Sequence, residues 1–133
     1  MEIDNMVLEL EKSIDDENIE RLVRIFYPEV IADKIIGSFF IEKLGNDIKS
    51  DKWEEHLVLL TQFWRFVALY DDEYKSNPLR PHFDIVGLNK EAFDRWVLLF
   101  YEAVDRVYDK NSGAFFKQKS ADIAKNFIHR LEL

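Results

Sequence analysis

The chain has 133 residues, 47% hydrophobic and 14% aromatic, with no cysteine. That is one domain with a real core, and it excludes disorder, disulfides, Cys-held zinc, iron–sulfur clusters and thiol chemistry. Eighteen basic against 26 acidic residues leave a net charge of −8, which disfavours nucleic acid and anionic membrane surfaces as partners.

The N-terminus is acidic (Glu2, Asp4) and lacks the basic start of a signal peptide. No apolar run is long enough to span a bilayer, so a soluble, cytoplasmic protein is expected. Ile3, Met6, Val7, Leu10 and Ile14 predict a short amphipathic helix. Asp15 and Asp16 interrupt it, and Asp16 can cap the next helix, whose positive end gains from Glu17 and Glu20. That helix carries Ile19, Leu22, Val23, Phe26 and Val30 on one side, with Tyr27 at the edge of the same face. Pro28 follows directly and predicts a kink, because it frees the carbonyl four residues back. Residues 35–40, around Gly37, are a dense apolar knot, expected as a short or 3₁₀ helix at a corner. After a loop over 44–50, a third helix is expected from about Lys52 to Tyr70, with Asp51 and Glu54 as a capping box. Its apolar stripe is Trp53, His56, Leu57, Leu60, Phe63, Trp64 and Val67, so His56 turns inward.

A polar loop leads to Asn77-Pro78-Leu79-Arg80-Pro81-His82. Asn77 is a good N-cap, Pro78 suits the first helical position, and Pro81 keeps the helix short. Leu79, His82, Phe83 and Val86 fall at helical spacing, which turns His82 inward as well. Gly87 ends this element. Asn89 caps the next helix, whose inner face is Phe93, Trp96, Val97, Phe100, Val104, Val107 and Tyr108. Asn111-Ser112-Gly113 reads as a break. Phe116, Ile123, Ala124, Phe127 and Leu131 mark a last helix, with His129 off its apolar face. No strand-plus-turn pattern occurs, so the fold is all-α with about five main helices.

Two inward histidines need a reason. The ordinary one is a core histidine bonded to a carbonyl. The other is an axial ligand to haem iron, since globins hold haem by a proximal His. From His56 the helix runs ~21 Å to Tyr70, and the loop to Asn77 spans up to ~23 Å. The chain can therefore bring His82 back opposite His56 with a planar ligand between them. Two unrelated core histidines satisfy the same geometry. The aromatic load suits a large flat ligand and equally an aromatic core. Other chemistries lack their residues: there is no HExxH, glycine-rich phosphate loop or GxSxG, and Trp53, Leu79 and Asn126 stand where a di-iron site needs Glu. The rival reading is a cofactor-free helical interaction module with an acidic surface. It does not explain why Tyr27, His56 and Trp96 interrupt three apolar faces while His82 sits in a fourth.

Six pieces, in order and spacing, resemble the truncated haemoglobins, and within them the third group. They are Phe26-Tyr27, Gly37 with Phe40, Trp53-Glu54-Glu55-His56, Phe63-Trp64, Pro78-Leu79-Arg80-Pro81-His82, and Phe93 through Trp96 to Phe100. The resemblance runs from about Ile19 to Leu131, and the paired-glycine motifs of the other two groups are absent. It implies a 2-over-2 helical sandwich around haem b, as one globin-like domain over 1–133 with 1–15 as a helical N-terminal extension. It implies His82 as the proximal iron ligand through Nε2, and Tyr27, His56 and Trp96 as the polar distal residues. Phe40, Leu60 and Phe83 are expected to pack on the haem, and Arg80 is a candidate propionate contact. The resemblance further implies binding of O₂ and other diatomic ligands, among them nitric oxide, CO and cyanide. Nitric oxide dioxygenation or peroxide chemistry is expected rather than bulk oxygen transport, with an external reductase as electron donor.

Overall fold

Five α-helices form where the apolar periodicity puts them, within residues 9–133, which the computed structural model of the chain describes. They are α1 (Asp16–Ala32), α2 (Gly37–Leu44), α3 (Asp51–Leu69), α4 (Lys90–Val107) and α5 (Lys110–Arg130), with a 3₁₀ turn, Arg80–Asp84, between α3 and α4. No helix among the described residues is long and apolar enough to cross a membrane.

Capping decides where the helices begin. Asp15, rather than Asp16, caps α1: its carboxylate accepts the Asn18 N–H at 2.8 Å while the Asn18 side chain accepts the Asp15 N–H at 3.0 Å. This reciprocal box satisfies two donors that the first helical turn leaves free. Ser50 caps α3 through the Trp53 N–H at 3.3 Å, in place of the expected Asp51–Glu54 box. Asn89 caps α4 as its sequence position predicts, accepting the Ala92 N–H at 2.9 Å. α1 continues through Pro28, which lies on the exposed side, to Ala32.

Two expectations need correction. Residues 9–15 contain no helix. Here Glu11 donates its N–H to the Val107 carbonyl at 2.8 Å and accepts the Asp109 N–H at 2.9 Å, so its backbone is taken up by the α4–α5 corner. Ile3, Met6 and Val7 of the expected N-terminal helix lie outside the described residues. The expected break at Asn111-Ser112-Gly113 is the first turn of α5, capped by Asp109 through the Ser112 N–H at 2.8 Å. Gly113 serves packing instead: a Cβ there would come 2.9 Å from Val104 Cγ1, so α4 and α5 approach closely. The apolar knot forms a short helix at the corner as expected, an α-helix from Gly37, whose N–H donates to the Asp33 carbonyl at 2.9 Å. A Cβ at Gly37 would run into the Ile31 carbonyl oxygen, so the α1–α2 corner admits only glycine without moving backbone.

α1 packs on α3 and on α4, and α4 packs on α5, which gives two helix pairs layered as a 2-over-2 sandwich. Ile19, Leu22, Phe26 and Val30 of α1, Trp53 and Trp64 of α3, Phe100 and Val104 of α4, and Phe116 of α5 form the buried centre. An ion pair ties the end of α1 to α4. Asp33, only 6% exposed in its side chain, accepts Arg95 Nε at 2.8 Å and Nη2 at 2.7 Å, and also caps the Ile35 and Ile36 N–H groups. The Arg95 guanidinium holds the Asp33 carboxyl below the usual carboxylate range.

Gly37→Ala is expected to lose about 1–3 kcal/mol in urea denaturation, the usual cost of forcing atoms into a filled site, although alanine favours most helices. Asp33→Asn is expected to destabilise the protein at pH 7. The folded Asp33 pKa is depressed, so its contribution is complete above the ordinary value of ~3.9 and is lost as pH falls through the lower folded value. The gap between Asp33→Asn and the parent protein should therefore close in denaturation curves taken at falling pH.

Candidate functional site

The 3₁₀ turn presents His82 by local bonding. The Asn77 side-chain oxygen accepts the Leu79 N–H at 3.0 Å, and the His82 N–H donates to the Leu79 carbonyl at 3.0 Å. Pro81 has no N–H to give an α-helical ladder, so the tighter three-residue period wins. That overturns the expected shared face: His82 and Leu79 are half-buried, while Phe83 and Val86 are 62% and 87% exposed.

His82 Nδ1 stands 2.8 Å from the Pro78 carbonyl. A carbonyl can only accept, so the proton belongs on Nδ1 and the Nε2 lone pair is left free. Burial lowers the pKa of this ring and favours its neutral form. Phe127 of α5 and Phe93 of α4 flank it, at 5.0 and 6.0 Å between ring centroids.

Tyr27 is 3% exposed and meets Phe40 of α2 at 5.8 Å, with Trp53 and His56 of α3 at 5.9 and 6.0 Å. Trp53 stacks on Phe40, and its indole N–H is committed to the Gly45 carbonyl at 2.8 Å, so it is a wall and not a free donor. Burial pushes the Tyr27 hydroxyl far above its ordinary pKa, which keeps it a protonated donor. The Trp96 indole opposes that rise from α4, although the pair falls short of a well-formed hydrogen bond. The Trp96 ring lies 5.6 Å from Phe26 and stacks on Phe100 at 5.3 Å.

The pKa of His56 is pushed down to about 4, first by burial and second by the charge of His82. The fold gathers Phe40, Trp53 and His56 around Tyr27, and Trp96 of α4 reaches the same hydroxyl. His82 stands apart from these contacts, against Phe93 and Phe127. Leu60, one turn beyond His56, is half-buried against the core. Arg80 is exposed on the turn itself.

Trp53, Phe93 and Phe127 flank the candidate residues and were given no site role from the sequence, although Trp53 and Phe93 stand in the pieces that carry the resemblance. Trp53 carries a signal, since it lies one helical turn before His56 on the same face. Phe93 and Phe127 carry none, because the periodicity that turns them inward does not say which neighbour they meet. The donor set fits a haem. A neutral imidazole offers a free Nε2, aromatic rings flank both Tyr27 and His82, and Tyr27 and His56 have no acceptor of their own among the described residues.

No family model matches the chain. The chain is 31% identical over 120 residues to the group 3 truncated haemoglobin ctb of Campylobacter jejuni subsp. jejuni, a match that covers 90% of this chain and 93% of that protein. The crystal structure of a group III truncated haemoglobin from Campylobacter jejuni matches it with a TM-score of 0.85 at 31% identity, over 92% of this chain and 95% of that one.

Proposed function

This chain belongs to the group III truncated haemoglobins, and from that premise we propose that it is a haem b protein that binds O₂ and other diatomic ligands. Haem, when bound, supplies an iron centre that takes O₂, nitric oxide, CO or cyanide and exchanges electrons. His82 would hold it through Nε2, and the Nδ1–H bond to the Pro78 carbonyl fixes the ring and raises its basicity. The likeness to a group III truncated haemoglobin along 90% of the chain is the observation that best supports the reading; the Nδ1 bond agrees with it by leaving Nε2 free.

The remaining roles follow from chemistry. The Tyr27 hydroxyl and the Trp96 indole N–H would be donors to a diatomic ligand with partial negative charge, and each bond to a charged acceptor would contribute about 1.5–3 kcal/mol. Release slows about ten-fold or more for each such bond. His56 adds a neutral imidazole at the cleft and gates entry. Phe40, Leu60 and Phe83 cover the flat faces, and Arg80 reaches a propionate. Slow release suits nitric oxide dioxygenation or peroxide handling better than bulk transport, with an external reductase returning electrons. The acidic balance and the absence of cysteine suit a cytoplasmic setting.

The ultraviolet–visible spectrum of the purified protein, oxidised, reduced and under CO, tests the assignment. A Soret band that shifts with CO is expected. A colourless protein that takes up no added haemin would end this reading and leave the interaction module. His82→Ala is expected to lose haem or hold it weakly; normal haem content in that variant rules out His82 as the ligand. Tyr27→Phe is expected to speed O₂ dissociation about ten-fold or more in stopped-flow measurements, and an unchanged rate removes Tyr27 from the ligand's hydrogen bonds.

A further inference from the structure

The three distal side chains stand on three helices, and two ion pairs lace those helices together beside them. Arg24 Nη1 and Nη2 meet Glu54 Oε1 and Oε2 at 3.0 and 2.8 Å, fork on fork, while Arg24 Nε holds Glu20 at 2.8 Å. Arg24 is three residues before Tyr27, and Glu54 is two before His56. On the other side Arg95, which directly precedes Trp96, holds Asp33 at the end of α1 through two nitrogens. Tyr27 therefore sits on α1 between a tie to the helix of His56 and a tie to the helix of Trp96.

A second observation explains why such ties are needed. Pro28 has no N–H, so the Arg24 carbonyl lacks its partner four residues on. α1 is thus short of one backbone bond in the turn that carries Tyr27. The Arg24 side chain spans that neighbourhood, reaching back one turn to Glu20 and sideways to α3. The paired contact also specifies angle as well as distance, which a single point-charge contact does not.

We infer that Arg24–Glu54 and Arg95–Asp33 are positioning pairs, which set the Tyr27 hydroxyl against His56 and Trp96. The functional consequence rests on the proposed haem reading; the geometric claim does not. Hydrogen bonds weaken steeply with angle, so a small rotation of α1 costs ligand retention. The Arg24–Glu54 pair is largely exposed, and such pairs add little to stability. Its loss should therefore show in the cleft before it shows in the melting temperature.

The test uses the haem-loaded protein with Glu54→Gln and Arg95→Lys. One readout is the nuclear Overhauser contact between the Tyr27 and His56 rings in the CO complex. The others are the C–O stretching band and the O₂ dissociation rate. Glu54→Gln is expected to weaken that ring contact, broaden the C–O band and speed O₂ release about 3- to 10-fold, within the coupling seen between neighbouring residues. Arg95→Lys, which keeps the charge and loses the two-armed grip, is expected to speed release in the same direction. In a Tyr27→Phe background Glu54→Gln should add nothing, because it acts through Tyr27. An intact ring contact in Glu54→Gln overturns the inference, and so does an equal acceleration with or without Tyr27. If Tyr27→Phe alone leaves the rate unchanged, the ligand role of Tyr27 falls, while a weakened ring contact in Glu54→Gln still supports the positioning claim.

Discussion

The ring of Phe100 is the point where three helices meet. It is fully buried in α4, with Phe26 of α1 edge-on at 5.1 Å, Trp64 of α3 stacked at 5.0 Å and Trp96 of α4 stacked at 5.3 Å. These are the helices that carry Tyr27, His56 and Trp96. A helix turns ~100° per residue, so seating Phe26 on Phe100 also fixes where Tyr27 points. The core contact thereby sets the azimuth of α1, and through Trp64 that of α3. Aromatic pairs of this kind add about 0.5–1.5 kcal/mol beyond burial, and a change at Phe100 would disturb Tyr27, His56 and Trp96 together.

The opposite wall is built on another principle. His82 is held by a short turn with its own internal bonds to Asn77, Pro78 and Leu79, and by two phenylalanine rings. Outside that, the turn reaches α2 through a long contact of 3.4 Å from Lys43 Nζ to the Asp84 carbonyl. Tyr27, His56 and Trp96 are thus placed by core packing and His82 by local chain geometry. Burial favours the neutral form of both histidines and the protonated form of the Tyr27 hydroxyl, so these groups offer donors and a lone pair rather than charge.

Much of this was legible in the sequence because periodicity reports burial. The inner faces of α1, α3 and α4 were readable, and with them the inward placement of Tyr27, His56 and Trp96. What was not legible depended on partners distant in sequence. Asn-Ser-Gly reads as a break unless Val104 is known to lie against Gly113. Asp51 and Glu54 read as a capping box unless Arg24 is known to take Glu54. Asp15 and Asp16 are both good caps, and Asn18 decides between them through its own side chain. At the proximal turn the helical period was the wrong ruler, because Pro81 removes the bond that would establish it.

Glu11 has a consequence for the order in which the molecule assembles. Its two peptide groups close the end of α4 and the start of α5, and the Tyr108 hydroxyl beside it donates to Asn18 at 2.7 Å. The paired residues Glu11 and Tyr108 lie 108 − 11 = 97 positions apart. The α4–α5 hairpin can form from neighbours, whereas this closure must gather nearly the whole chain first, and loop entropy opposes it until then. The N-terminal segment is thus the last stitch of the fold. In reverse, release of Glu11 frees the Val107 carbonyl and the Asp109 N–H and opens the α4–α5 corner, while Tyr108 keeps its bond to Asn18 of α1.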